Sequence, residues 1–384
     1  MKKYFIIAAA AIVAMAACTK VETVGTPDQK VTFQAANYTT QTKAGEVSVL
    51  SDFDAFKCRA FLHAEGIDLN ADGTVKTTSY QEFFGSAGET ISWNSTNKEW
   101  APSHVYYWPK GTKSFVNFVG WYGTDGTNAV DPTVTYAYDG TASKWTASMT
   151  WTFSNTSVGE AGTNLLYADM AWHFKSNNNP ATYGKDGVTE GVPMLFHHAL
   201  AQINVKAYAD GTSLSAGTGT VSDANATWAI SLENVQINPI YTAGTLALTN
   251  ADPGSKTTQA WTGSWTGTGT AGALTASDYL VDDITKANAG DLIAATCVLP
   301  QTLGATVKLT FDMRITTTYN TNPTNPNVEL IPVEITLNDM GTSAWALNTK
   351  YTYYIKIIPS QNKVLFDPAL EAEWIEVEGT EQTI

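Results

Sequence analysis

Phe115-Val116-Asn117-Phe118-Val119 is an apolar run of strand length, Val307-Lys308-Leu309-Thr310-Phe311 alternates apolar and polar side chains, and residues 351–358 combine both habits. Alternation places successive side chains on opposite faces of an extended chain, and short runs of this kind bounded by turn signals read as strands. The turn signals are present: Asp72-Gly73, Asp125-Gly126, Asp139-Gly140, Asp186-Gly187 and Asp210-Gly211. Such dipeptides supply the backbone conformations that a tight reversal needs. Thr, Gly, Asn, Trp and Tyr are abundant and charged residues make up only 15%. The chain is therefore expected to be all-β. A short helix is expected only over 277–288, where Ser277 stands as an N-cap before Asp278-Tyr279-Leu280-Val281.

A length of 384 residues predicts about two domains. The division is placed between 191 and 192. The first portion, 44–191, carries most of the tryptophans and a polar insertion, Lys175-Ser176-Asn177-Asn178-Asn179-Pro180, that reads as a loop. The second, 192–384, opens with the apolar stretch 194–208, and its Gly/Thr/Ser-rich segment 257–272 reads as an exposed, mobile loop. Two tandem β-sandwiches are the economical architecture.

The start of the chain is an address. Lys2 and Lys3 precede the apolar run 4–17, which has the length and flanks of a secretory signal peptide. Met15-Ala16-Ala17-Cys18 then resembles the lipobox of bacterial lipoproteins, with Cys18 as the lipidated residue; the other reading is a plain signal cut near Ala17. Acyl chains at Cys18 would tether the chain to a membrane at roughly 0.8 kcal/mol per buried methylene. No later run approaches the roughly 18 apolar residues of a membrane helix. The formal charge of −14, more negative once Lys2 and Lys3 are gone, argues against nucleic acid and anionic lipid surfaces as partners. Cys58 and Cys297 remain, without metal-site or redox-site spacing; they read as buried small hydrophobes or, in an oxidising envelope, as a disulfide.

Catalytic and cofactor motifs are not found. There is no G-x-S-x-G elbow, H-E-x-x-H or P-loop, so neither an enzyme nor a cofactor is expected. The histidines are His63, His104, His173, His197 and His198; the adjacent pair would face opposite ways on a strand and cannot easily share a metal. Asp68-Leu69-Asn70-Ala71-Asp72-Gly73 matches the opening of a calcium loop, but position 12 is Ser79 instead of a bidentate Glu, and a hairpin turn between strands is the alternative. Met149, Trp151 and Phe153 share a strand face and read as core. Trp261 and Trp265, in the Gly/Thr segment, are the two tryptophans that could stack on a sugar, with packing as the competing role.

Several blocks together resemble the fimbrillin-like proteins, the type V pilins of Gram-negative envelopes. They are Tyr107-Trp108-Pro109; Phe115-Val116-Asn117-Phe118-Val119-Gly120-Trp121-Tyr122; Asn164-Leu165-Leu166-Tyr167-Ala168; residues 192–203; Val298-Leu299-Pro300-Gln301; and 345–374 with Asn348, Lys350, Tyr351 and Tyr353. The resemblance implies two transthyretin-like β-sandwich domains, export as an outer-membrane lipoprotein precursor, and assembly with other pilus subunits, of the same or another kind, into a fimbria with a role in adhesion. It also implies that a protease removes an N-terminal strand and that a strand of the next subunit fills the groove. Within 18–43, Val31, Phe33 and Ala35 share one face and form the candidate removable strand. The polar stretch 38–45 that follows carries Lys43-Ala44, suited to a trypsin-like cut; an ordinary linker is the alternative. The family's best-known processing uses arginine, but arginine occurs here only at Arg59 and Arg314, so a lysine-accepting enzyme would be required. Leu370, Ala372 and Trp374 share a face near the C-terminus and read either as a donor strand or as the closing strand of the chain's own second domain. A surface glycan-binding lipoprotein that keeps its anchor is the other functional reading. The sequence leaves open the stalk, tip or anchor role and the adhesion target.

Overall fold

The computed structural model describes residues 30–37, 53–70, 76, 79–97, 99–109, 113–125, 128–154, 163–175, 191–211, 213–215, 220–268 and 271–373. The chain is all-β. Its strands run β1 (Phe33–Asn37), β2 (Ala55–His63), β3 (Gln81–Glu82), β4 (Glu89–Asn94), β5 (Glu99–Pro102), β6 (Phe115–Asp125), β7 (Thr133–Asp139), β8 (Lys144–Ser154), β9 (Thr163–Ala168), β10 (Met170–Phe174) and β11 (Val192–His198). They continue with β12 (Ala201–Ala209), β13 (Ser213–Ser215), β14 (Thr220–Ser222), β15 (Ala226–Ile240), β16 (Ala243–Ala251), β17 (Thr257–Gln259), β18 (Thr262–Gly267), β19 (Gly272–Thr275) and β20 (Tyr279–Leu280). The last are β21 (Gly290–Val298), β22 (Gln301–Thr302), β23 (Lys308–Tyr319), β24 (Asn322–Thr336), β25 (Ala344–Trp345), β26 (Thr349–Ile358) and β27 (Lys363–Glu373).

The first sheet closes on itself. Its neighbours run β6-β9-β11-β1-β5-β4-β2, and β2 pairs back onto β6, so seven strands make a ring. Closure follows from the alternation within β6 and β9: Val116 and Phe118 point inward with Leu166 and Ala168, while Val119 and Trp121 point outward with Leu165 and Tyr167. A second sheet, ordered β18-β16-β8-β7, covers that outer face, and Met149, Trp151, Leu246 and Leu248 fill the space between. The other unit is two facing sheets, β21-β12-β26-β27 and β13-β14-β15-β23-β24, around a core that includes Ile203, Trp228, Phe311, Tyr353 and Ile355.

The sheets do not divide at 191/192. Val192–His198 is a strand of the first ring, and Ala243–Gly267 returns from the second unit to build the covering sheet. The apolar stretch 194–208 is thus two strands broken at Ala199-Leu200, with no glycine or proline to mark the break. Asn348, at φ 56, pins this corner: its backbone N–H donates to Leu200 O at 3.2 Å, and its Oδ1 accepts from the His198 backbone N–H at 3.1 Å.

Two local expectations are corrected. The segment 277–288 is not a helix capped by Ser277. Tyr279–Leu280 pairs with β15, Val281 is fully buried and bonds Ile230, and only a short 3-10 turn, Lys286–Asn288, follows. The period across Tyr279, Leu280 and Val281 is therefore that of a strand. The segment 257–272 is not an exposed loop throughout, because β17 pairs with β10 and β18 pairs with β16. Burial of its tryptophans outweighs its Gly/Thr composition. The polar insertion at 176–180 lies outside the described residues.

Candidate functional site

Among the described residues, β1 is the strand that comes from the chain ahead of residue 38, and it completes the ring. It pairs in parallel with β11 from Phe33↔Val192 to Asn37↔Phe196, and on its other side with β5 at Phe33↔Trp100. Val31 donates its N–H to Tyr106 O at 2.9 Å, and Thr32 O accepts from the Val192 N–H at 2.8 Å. The sequence alternation sets which side chains go inside: Val31, Phe33 and Ala35 are all buried, with Phe33 only 2% exposed. Those are the three residues expected of the removable strand.

The pocket for Phe33 is aromatic. Its ring meets Phe118 edge-on at 5.5 Å and Phe56 edge-on at 6.0 Å, and lies tilted against Phe84 at 6.2 Å. Sequence reading did not reach these walls, because β2, β6 and the Phe84 loop are distant in sequence and converge only when the ring closes. It also missed Gly191. A Cβ there would stand 2.7 Å from Phe33 C, so the glycine lets the occupant's backbone run against the wall. A glycine directly ahead of the strand Val192-Pro193-Met194 was the available signal for such an approach.

At the end of the slot beside Val31 lies a small polar cluster. Tyr106 packs on Phe84 at 4.6 Å and donates its hydroxyl to Glu89 Oε2 at 2.9 Å, while His104 Nδ1 lies 3.1 Å from Glu89 Oε1. Burial, and then the adjacent Glu89, push the Tyr106 hydroxyl up to about 12. Burial also pulls the Glu89 carboxyl upward, but hydrogen bonds from Ser103, Tyr106 and His104 outweigh it and hold that carboxyl below its ordinary range.

The other predicted residues fall as follows. Cys18, Lys43, Ala44 and Trp374 lie outside the described residues. Leu370 and Ala372 belong to β27 and pair within the chain's own second unit, opposite Thr352 and Lys350. Arg59 and Arg314 both sit within strands, bound to Glu82 and Glu233 respectively, and neither occupies a junction between elements. Asp68 is buried and accepts from Gln81 Nε2 at 2.8 Å, a structural role inside its turn; Asp72 is outside the described residues. Among the described residues no group of three or more His, Cys, Asp or Glu is placed to hold a metal ion. His197 Nε2 lies 2.9 Å from Asp169 Oδ1, and His198 Nδ1 lies 3.0 Å from Asn164 Oδ1, so the two rings have separate partners. Cys58 and Cys297 are not joined in a disulfide; Cys58 is fully buried, which pushes its thiol up. Trp261 and Trp265 pack rather than present themselves: their indole N–H groups donate to Ala168 O at 2.9 Å and Ala199 O at 2.6 Å.

The fold is a closed all-β ring completed by β1 and joined to a two-sheet unit. The chain belongs to the fimbrillin-like family, whose profile matches residues 62–371. Among solved structures it is similar to a fimbrial protein from Bacteroides vulgatus, at 15% identity and a TM-score of 0.48, covering 91% of this chain and 100% of that one. It is also similar to a proposed cell adhesion protein from Bacteroides uniformis, at 17% identity and a TM-score of 0.39, covering 90% and 99%. The fimbrial anchor protein Mfa2 from Porphyromonas gingivalis matches at 8% identity and a TM-score of 0.27, covering 91% and 98%. A search of curated proteins found no match.

Proposed function

We propose that this chain is a structural subunit of a cell-surface fimbria. It is exported as a lipoprotein anchored through Cys18 to the outer membrane, cut between Lys43 and Ala44, and joined to other pilus subunits when a strand of one replaces β1 of another. One observation carries the reading. β1 is a full strand of the first core, yet it is joined to the rest of that core only through residues 38–52, which contain the single basic residue Lys43. Removing it would take Val31 and Phe33 out of the core, at roughly 1.5 to 3 kcal/mol of lost burial each. It would also leave two strand edges, on β11 and β5, open to pairing.

Membership of the fimbrillin-like family supports the same reading. A glycan-binding role through Trp261 and Trp265 has less support, since both indoles are committed to backbone carbonyls. N-terminal sequencing of the protein recovered from the cell surface tests the proposal. Ala44 at the N-terminus is the expected result for an assembled subunit. A chain that uniformly begins at lipidated Cys18 and never enters polymers would overturn it.

A further inference from the structure

The covering sheet β18-β16-β8-β7 turns an uncharged face to solvent. Alternation sends Val134, Tyr136, Met149, Trp151, Leu246 and Leu248 down onto the first ring. Every second residue of 133–137, 146–152, 245–251 and 262–266 therefore points away from it, and these positions hold nine threonines, two serines and three alanines. All are exposed or half-buried, and none is charged. The register sets them in rows across the strands, of which Thr135-Ser148-Thr249-Thr262 is one.

The second unit shows the ordinary solution for a solvent face. There the outward side of β23 bears Lys308 paired with Glu334 of β24 and Arg314 paired with Glu233 of β15. Strand propensity favours threonine but does not keep Lys and Glu off a whole exposed face. A chain of net charge −14 repels a copy of itself, and a face without charge is where two copies approach at least electrostatic cost. The hydroxyls suit a copy of the same face. Thr135 Oγ1 and Ser148 Oγ lie 2.6 Å apart, and Thr249 Oγ1 and Thr262 Oγ1 3.2 Å apart, so neighbouring strands are tied along the row. Each hydroxyl has one donor and two acceptor positions, which leaves capacity for a facing hydroxyl. No aromatic residue stands at an outward position, since Trp145, Trp151 and Trp265 pack beneath, and a sugar ring would find no platform to stack on.

We propose that this face is a contact between two copies of this chain, a two-fold pairing in which the hydroxyl rows of one copy lie against those of the other. A two-fold contact uses the same patch on both partners, and a face of hydroxyls and methyls is complementary to itself. Four strands about 4.8 Å apart, carrying rows about 6.7 Å apart, cover roughly 500 Å² on each copy. The pair then buries roughly 1,000 Å², the lower end for a specific contact, so it is weak and reversible. It asks nothing of β1 and stands apart from strand replacement. On the fimbrial reading it recurs with every subunit, so fibres lying side by side gain from its repetition.

Sedimentation of uncut chain, free of signal peptide and lipid, over a concentration series tests this. Dimers should appear as concentration rises and should strengthen with added salt, because salt screens the repulsion between two acidic chains and the contact has no ion pair to lose. Thr150→Glu with Ala247→Glu, at the centre of the face, sets like charges against each other and should weaken the dimer by about ten-fold or more. Thr150→Ser with Ala247→Ser keeps the face uncharged and should leave the dimer intact. Should the glutamate pair lower the melting temperature, Thr135→Glu with Ser264→Glu, at exposed positions, makes the same comparison in folded chain. Uncut chain that stays monomeric up to about 1 mM overturns the proposal. So does a dimer that folded glutamate variants retain, or one that salt dissociates. Binding of dextran, a neutral polysaccharide, to monomeric chain and its loss in the glutamate variants would assign the face to sugar and overturn the second copy.

Discussion

Phe33→Ala is the most direct probe of how firmly β1 belongs to the first core. The side chain is 2% exposed and touches three aromatic rings, two of them edge-on at 5.5 and 6.0 Å. Burial of such a ring is worth roughly 1.5 to 3 kcal/mol. Each edge-to-face pair adds roughly 0.5 to 1.5 kcal/mol. The ring of strands cannot collapse readily around the hole, so the change should fall within the usual range for a buried phenylalanine, about 3 to 5 kcal/mol. Denaturant unfolding of intact chain, followed by the fluorescence of the first unit's tryptophans, measures it. A loss below about 1 kcal/mol, ordinary for a surface position, would refute the assignment of β1 as a core strand.

Other outcomes follow from the same geometry. Gly191→Val puts a Cβ 2.7 Å from Phe33 C, so β1 should unseat and residues 30–37 should become sensitive to limited proteolysis in uncut chain; unchanged protection would contradict the close approach. His63 is fully buried with Nε2 2.9 Å from the Tyr136 hydroxyl, and burial lowers its pKa from 6.5 to about 4, opposed by Asp68 and Asp252 and reinforced by His173. The unfolded chain then binds more protons than the folded one between those values, so stability should fall as pH drops from about 6.5 to about 4, by up to about 3 kcal/mol. His63→Phe should flatten that part of the stability profile, and an unaltered profile would assign the acid sensitivity elsewhere. Trp261→Ala should destabilise the chain by about 3 to 5 kcal/mol, and polysaccharide binding that depends on Trp261 in a still-folded variant would revive the glycan reading.

The alternation at Val31, Phe33 and Ala35 made β1 and its inward face legible from sequence, since a period of two is a local property. Its partners were not legible. β1 pairs with Val192–His198, far along the chain, and nothing local in either segment announces a parallel pairing. The same limit misplaced the unit boundary: β11 and β12 read as one apolar stretch, although Asn348 turns the corner between them from the far end of the chain. Composition misled at 257–272, where Gly and Thr suggested a loop, and the buried Trp261 and half-buried Trp265 hold strands in place. At Tyr279-Leu280-Val281 an N-cap residue was visible, but the burial of Val281 against β15 decided for an extended chain.

On the strand-replacement proposal, β1 holds a place another strand can take. Chain cut after Lys43 can be followed over time for two quantities together, the fraction of the N-terminal peptide still bound, by mass spectrometry, and the size of the particles, by light scattering. Peptide release and multimer growth are expected to rise together in equal proportion of subunits. Multimers that grow while the peptide stays bound, or peptide release that leaves only stable monomers, would contradict it.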